Sequence, residues 1–375
     1  MWIYIANIAI LPFYGMFRKR NIGIFFAGIQ MFLILAFRDI TVGADLGNYI
    51  GGFKFISGLS FVNLCSRFHL VRTADLIYPY SYESGYCLLN WLCGKIGISF
   101  HGFLVICAAF IIFSTCRFIA KYSYKPWMSF CLFVGLGMYE YSFGILRQSL
   151  AVAILLYAFD YIKLRKWRNF IVIVFVAFTI HRLSIIFVIL YFLIEKPITK
   201  KFMMKFFCFC IVFLGLSRIL YVKIISNLLH FIGKETYGQS TFAMNNQILI
   251  MFLLIVLIFI FVDFKIFKEK NMNMFMWAFM CSIPVEILGM NNEGFARAIE
   301  IFYISVIILL PNIIRVYGLK RKYNQQIIGY LKKSNRQTSL INLFASLFIY
   351  MLMIGLLIYS LKNSVIVPYE LYKGV

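Results

Sequence analysis

The sequence predicts an all-α polytopic integral membrane protein of about twelve transmembrane helices, within a range of roughly ten to thirteen. Three observations predict it. Of 375 residues, 62% are hydrophobic and 14% charged, whereas a soluble domain is about half apolar and about a quarter charged. Apolar runs long enough to cross a bilayer recur from end to end. The basic residues gather in alternate short loops between those runs, as in a chain oriented by its Lys and Arg. That distribution argues against nucleic acid as a partner, although the net charge is +23.

The first run, 1–17, is followed by no small-residue cleavage site and reads as a span, not a removed signal. Further spans are expected at 21–37, 100–120, 126–143, 147–162, 168–181, 183–195, 202–222, 247–264, 273–289, 297–314 and 339–361. The stretch 168–195 is short for two full crossings and reads as a hairpin turning at His181. Residues 83–97 are too short to span and suit a re-entrant or interfacial helix.

Sorting charge by loop orients the chain. One set of loops, including Arg18–Arg20, Arg117–Lys125, Lys163–Arg168 and Arg315–Arg336, holds 24 of the 37 basic residues and four acids, a net +20. The opposite face holds the other 13 basic residues and 10 acids, a net +3. The positive-inside rule puts the first face in the cytoplasm and both termini outside. The expectation is one transmembrane domain, 1–375, with an outward-facing segment at 38–99 and a basic cytoplasmic loop at 315–338. The nine cysteines, such as Cys107, Cys131, Cys208 and Cys210, lie mostly in apolar runs. None has CxxC or Cys/His metal spacing, so they read as packed thiols and no metal site is expected.

Orientation by Lys and Arg alone places the chemically interesting residues together on the outer face. The segment FRDITVGADLGNYI, 37–50, offers Arg38, Asp39, Asp45 and Tyr49 in a turn-rich loop. The plain alternative is an interfacial loop with a local Arg–Asp pair. Glu83 opens YESGYCLLNWLCGKIG, where an acid at a helix N-terminus is favoured by the dipole alone. Arg147 and Gln148 stand at the outer end of a span. An ionisable residue entering the membrane needs a partner, although an Arg also snorkels to the interface. His181, Arg182 and Ser184 interrupt an apolar stretch at the hairpin tip, where polar groups need partners or water. Glu293 and Arg297 are four apart and can pair on one helix face.

Arginines converging at one membrane face suit a multiply charged phosphate, through bidentate hydrogen bonds. Arg147, Arg297, Arg182 and Arg38 are the candidates. Carboxylates and a His nearby suit general-base work on a hydroxyl. Asp45 and His181 rank first, with Asp39 and Glu83 beside them. Gln148, Tyr49, Ser184 and Glu293 are supporting candidates. Tyr78, Tyr80, Tyr82, Tyr139 and Tyr141 can stack on sugar rings, although interfacial belts are the commoner role of such residues. A lipid-linked sugar diphosphate would meet all these needs at once.

Six segments, in order along nearly the whole chain, resemble the EpsG-like branch of Wzy-type bacterial polysaccharide polymerases. FRDITVGADLGNYI is similar to the family's RD…vGtD…Y segment, with Ala44 where Thr is common. YESGYCLLNWL, GILRQSLAVAILL, FTIHRLSIIFVILYFL, ARAIEIFYISVIILLP and VPYELY are similar to its further segments. His181 and Ser184 have two residues between them where the family more often has one. The resemblance implies polymerisation of O-antigen, capsule or exopolysaccharide repeat units at the outer face of the bacterial cytoplasmic membrane. Undecaprenyl-diphosphate-linked oligosaccharides would be both donor and acceptor. No nucleotide sugar, cofactor or metal would be needed, and a flippase and a chain-length regulator would share the membrane. Competing readings are a lipid-linked oligosaccharide flippase, an O-antigen ligase and a membrane O-acyltransferase.

Overall fold

The computed structural model describes the backbone of residues 1–67, 82–220, 246–315, 331–362, 364 and 366–372, with side chains except at 67, 246, 293, 294 and 331–342. The described residues are helical, apart from turns and one isolated bridge between Arg38 and Leu371. They fall into two compact units, each treated by itself below.

The first unit comprises Met1–Tyr161, Lys166–Ile185 and Phe344–Val375. Its helices are α1 (Trp2–Ile10), α2 (Arg20–Ala36), α3 (Leu46–Gly58), α4 (Phe61–Arg67), α5 (Ser84–Lys95), α6 (Phe100–Tyr122), α7 (Pro126–Gly135), α8 (Met138–Gly144), α9 (Leu146–Leu164) and α10 (Trp167–Ile180). The last helix, Leu331–Leu361, joins this unit from Phe344 onward. The second unit comprises Ile162–Arg165 and Ile186–Leu343. It contains α11 (Val188–Leu193), α12 (Lys200–Leu220), α13 (Asn246–Phe261), α14 (Lys270–Gly289) and the helical segment α15 (Phe295–Arg315).

A helix lies at each of the twelve expected spans. Five of them, Phe100–Tyr122, Lys200–Leu220, Lys270–Gly289, Phe295–Arg315 and Leu343–Leu361, are long and apolar enough to cross a membrane. Helices of that length and composition are those of a membrane protein. At 23 residues, α6 is about 34 Å long, slightly more than a hydrocarbon core of about 30 Å. The Ser99 hydroxyl caps it by accepting from Gly102 N at 3.1 Å. Phe103, Cys107, Ile111, Ser114, Phe118 and Tyr122 form its buried stripe, while Ile106, Phe110 and Phe113 are exposed. Arg20 satisfies its last turn, donating to the carbonyls of Ile119, Ala120 and Ser123 at 3.1, 2.7 and 2.6 Å. Nearby, Asp160 accepts from Arg117, from the Tyr122 hydroxyl and from Lys121 at 2.7 Å.

The span expected at 126–143 is broken. Gly137 adopts left-handed backbone (φ 80°) between α7 and α8, and its N–H closes on Val134 O at 3.1 Å. The described part of the segment 38–99 is also more helical than the turn-rich sequence of 37–50 suggests. Gly47, Gly51, Gly52 and Gly58 give α3 a weak intrinsic propensity. Its buried face, Tyr49, Gly52, Phe53 and Ile56, follows helical spacing, so packing supplies what propensity does not. The helix expected near 83–97 is α5. It ends in a left-handed Gly97 (φ 79°), where Ile98 N reaches Cys93 O at 3.0 Å and Gly97 N reaches Gly94 O at 3.1 Å.

The hairpin expected within 168–195 is closed at its base. Arg165 donates to the Tyr191 carbonyl, lies 4.0 Å from the Tyr191 ring centroid, and pairs with Glu195. The Tyr191 hydroxyl returns a bond to Arg165 O at 3.0 Å. α10, of 14 residues, extends about 21 Å. Within the second unit, Asn273 ties the loop before α12 to α14, donating to Ile194 O at 2.8 Å and accepting from Ile198 N at 3.0 Å.

Candidate active site

Glu83 immediately precedes α5 in extended backbone (φ −69°, ψ 153°). Helix-end stabilisation is the plain role for its carboxylate, yet that side chain makes no capping bond to the α5 amides. It turns to other elements. Glu83 Oε2 accepts from Arg147 Nη1 at 2.6 Å. Oε1 accepts from the Arg182 backbone N–H at 3.4 Å and lies 3.9 Å from His181 Nδ1.

Arg147 sits in the first turn of α9. That end of a helix carries partial positive charge, so a guanidinium there needs an anion, and Glu83 supplies it. Two rings flank the cation, Tyr82 with its centroid at 4.8 Å and Tyr49 at 5.9 Å. Burial raises the pKa of the Tyr49 phenol above its ordinary value, while the Arg147 cation beside it acts in the opposite direction. Arg147 Nε is buried and, among the described residues, has no hydrogen-bond partner. The guanidinium therefore retains a donor for a ligand.

Close packing holds these parts together. A Cβ at Gly52 would collide with the Tyr82 ring, and one at Gly85 with Thr179 near the end of α10. The first contact sets α3 against Tyr82, and the second brings His181, directly after α10, to Glu83. Tyr82 is further fixed by donating to Asn48 O at 2.8 Å.

The remaining candidates fall in several places. Asp45 lies one turn before Tyr49, whose N–H reaches Asp45 O at 3.1 Å, and its charge acts on the Tyr49 phenol. The Arg182 side chain is exposed, and Gln148 and Ser184 are buried. Asp39 accepts from Thr41 N and Thr41 Oγ1, both at 3.0 Å, closing a local turn. Arg38 is 1% exposed; it donates to Leu35 O and to Phe143 O, the latter at 3.2 Å. Burial pulls its pKa down to about 10, which leaves it charged at physiological pH. The C-terminal segment runs beside it, with Asp39 N on Glu370 O at 2.8 Å and Tyr372 N on Phe37 O at 3.0 Å. Arg297 belongs to the second unit, and the Glu293 side chain lies outside the described residues. Of the tyrosines, Tyr82 is at Arg147 and Tyr139 is in the core, donating to Met31 O at 2.7 Å. Tyr141 is part-buried, and Tyr78 and Tyr80 lie outside the described residues.

The structure thus brings Glu83, Arg147, His181 and Arg182 together, with Tyr49 and Asp45 beside them. Such a set can bind a multiply charged anion and accept a proton next to it. The sequence reading passed over two carboxylates of the second unit, Glu286 and Glu300, which are 1% and 3% exposed. Their signal was present, since each is an acid inside an apolar run, SIPVEILG and AIEIFY.

Comparison with curated proteins and comparison with solved structures each gave no match. The model of the EpsG family matches residues 21–371, nearly the whole chain, and includes every residue of this constellation. The chain belongs to the EpsG family, a Wzy-like polysaccharide polymerase family.

Proposed function

We propose that the protein polymerises undecaprenyl-diphosphate-linked repeat units into a surface polysaccharide at the outer face of the cytoplasmic membrane. An acceptor hydroxyl attacks the anomeric carbon of the donor chain. The bond from that carbon to the phosphate oxygen breaks, and undecaprenyl diphosphate leaves. Arg147 and Arg182 hold the diphosphate and stabilise charge as it departs. Arg297 is a further diphosphate candidate by its chemistry alone. Asp45, His181 and Glu83 are the groups available for the acceptor's proton. Tyr82, which is part-buried, presents an apolar face beside the cation for the sugar or the lipid.

One observation carries this reading. A guanidinium whose buried Nε is unengaged among the described residues stands in the first turn of α9, beside a carboxylate and an imidazole, in a chain of the EpsG family. The outward orientation rests on the +20 against +3 asymmetry of Lys and Arg between loops.

Deleting the gene tests the reading. In a host that ligates its repeat units to a lipopolysaccharide core, the deletion strain should carry core capped with a single repeat unit, because export and ligation continue. Loss of a flippase or a ligase would instead leave the core uncapped. Uncapped core in this deletion strain would reject the polymerase assignment.

A further inference from the structure

We infer that the donor's diphosphate unmasks Glu83 as the base: it draws Arg147 away, and the freed carboxylate takes the acceptor's proton. The inference rests on reading this site as a diphosphate site.

The contact between Glu83 and Arg147 runs through one point, Nη1 to Oε2 at 2.6 Å, while Arg147 Nε remains without a partner. A guanidinium is built to bind two oxygens side by side. A diphosphate offers more acceptor oxygens and more negative charge than one carboxylate. It therefore wins the guanidinium in direct competition. Glu83 and the substrate are rivals for the same donor.

The displaced carboxylate has little access to water, since Glu83 is 9% exposed. Its other oxygen lies 3.9 Å from His181 Nδ1 and 3.4 Å from the Arg182 N–H. While Arg147 Nη1 donates to Oε2, the guanidinium covers that oxygen; once the diphosphate draws the guanidinium away, the oxygen is open to the acceptor hydroxyl. The acceptor's proton therefore meets an open Oε2 only when a donor is seated. Without it, Glu83 stays locked on Arg147 and the acceptor hydroxyl keeps its proton. That order protects the enzyme from activating an acceptor with no chain to transfer.

The step balances. The acceptor oxygen bonds to the anomeric carbon, and its proton passes to Glu83. The electron pair of the broken carbon–oxygen bond leaves with undecaprenyl diphosphate. When that product departs, the proton is released to water and Arg147 recaptures the carboxylate.

Two measurements test the inference on the full-length protein in detergent. The first compares wild type with Glu83→Gln for binding of undecaprenyl diphosphate and of inorganic pyrophosphate, alongside polymerisation. The variant should bind both about tenfold more tightly, the size of one charge-assisted hydrogen bond removed from competition. It should polymerise at least about a hundredfold more slowly, as for loss of a general base. A Glu83 with only a structural role would weaken binding and activity together. Unchanged or weaker binding in the variant overturns the inference and leaves the diphosphate reading standing if wild type binds. Tighter binding of the lipid but not of pyrophosphate would place the competition elsewhere than the head group, and also overturns it. Binding by neither protein removes the diphosphate reading itself.

The second measurement needs no variant. Carbodiimide labelling of wild type, read by mass spectrometry, should increase at Glu83 when undecaprenyl diphosphate is bound. Labelling that stays constant or falls overturns the inference.

Discussion

The Glu83 carboxylate meets the Arg147 guanidinium at 2.6 Å across 64 positions of sequence. Each residue answers a need of the other. Arg147 lies at the positive end of α9, and Glu83 is largely buried without a capping bond on its own helix. Removing either leaves the other charged and poorly hydrated, which costs more than the pair itself contributes.

Arg147→Ala should therefore abolish most polymer while the protein remains inserted. Loss of a group acting on developing charge slows a reaction by roughly a hundred- to a thousandfold. Arg147→Lys keeps the charge but loses the planar fork, and it should also be impaired. Electrophoresis of the surface glycan, normalised to protein level by immunoblot, reads both. Full-length glycan from Arg147→Ala at normal protein level would remove the residue from the site.

Arg38 provides the contrast. Its two amino groups are engaged by the Leu35 and Phe143 carbonyls, its Nε, like that of Arg147, has no hydrogen-bond partner among the described residues, and a Cβ at neighbouring Gly43 would collide with Phe143 O. Arg38→Ala leaves those buried carbonyls without their donor, at about 1–3 kcal/mol each. The expected result is less folded protein, in proportion to the lost product, so activity per molecule changes little. A variant at wild-type abundance with no polymer would instead place Arg38 at the substrate.

That contrast marks where sequence reasoning stopped. Arg147 was legible because a charge entering a membrane helix needs a partner. Its partner was not legible: the spacing within YESGYCLL says nothing about a helix 64 residues away, and the helix dipole already explained Glu83. Arg38 reads from sequence as a diphosphate candidate or as the partner of Asp39 in a turn-rich loop, and loop composition does not reveal docking onto α8 and the C-terminal segment. The helices themselves were legible from apolar length, except where glycines decide. Gly137 breaks a run that hydropathy reads as continuous, and the glycine-rich α3 forms because its buried face packs.

Reporter fusions check the orientation on which the outward site depends. Fusions after Arg168 and Arg321 should report cytoplasm, and fusions after Asn48 and Gly238 the opposite side, because the loops differ by +20 against +3. A cytoplasmic signal after Asn48 would put Glu83 and Arg147 on the wrong face for exported repeat units.

Arg165 holds Tyr191 within the second unit, and it does so from a strained backbone. Its φ is 55°, a left-handed conformation usually left to Gly. A side chain there costs roughly 1 kcal/mol or more. The side chain offsets that cost by donating to the Tyr191 carbonyl, stacking at 4.0 Å on the Tyr191 ring, and pairing with Glu195. Glu195 is 64% exposed at its side chain, so the ion pair contributes little and the Tyr191 contacts dominate. Arg165→Ala keeps the strain and loses the contacts; Arg165→Gly loses both. Heat inactivation in detergent, followed by size-exclusion of a fluorescent fusion, should rank wild type first, Arg165→Gly second and Arg165→Ala last. The two variants should differ by about 1 kcal/mol, the usual cost of a non-Gly residue in this conformation. Equal midpoints for Gly and Ala would mean that the backbone at this position stores no strain, and a Gly variant more stable than wild type would mean that the clamp on Tyr191 contributes less than the strain it offsets.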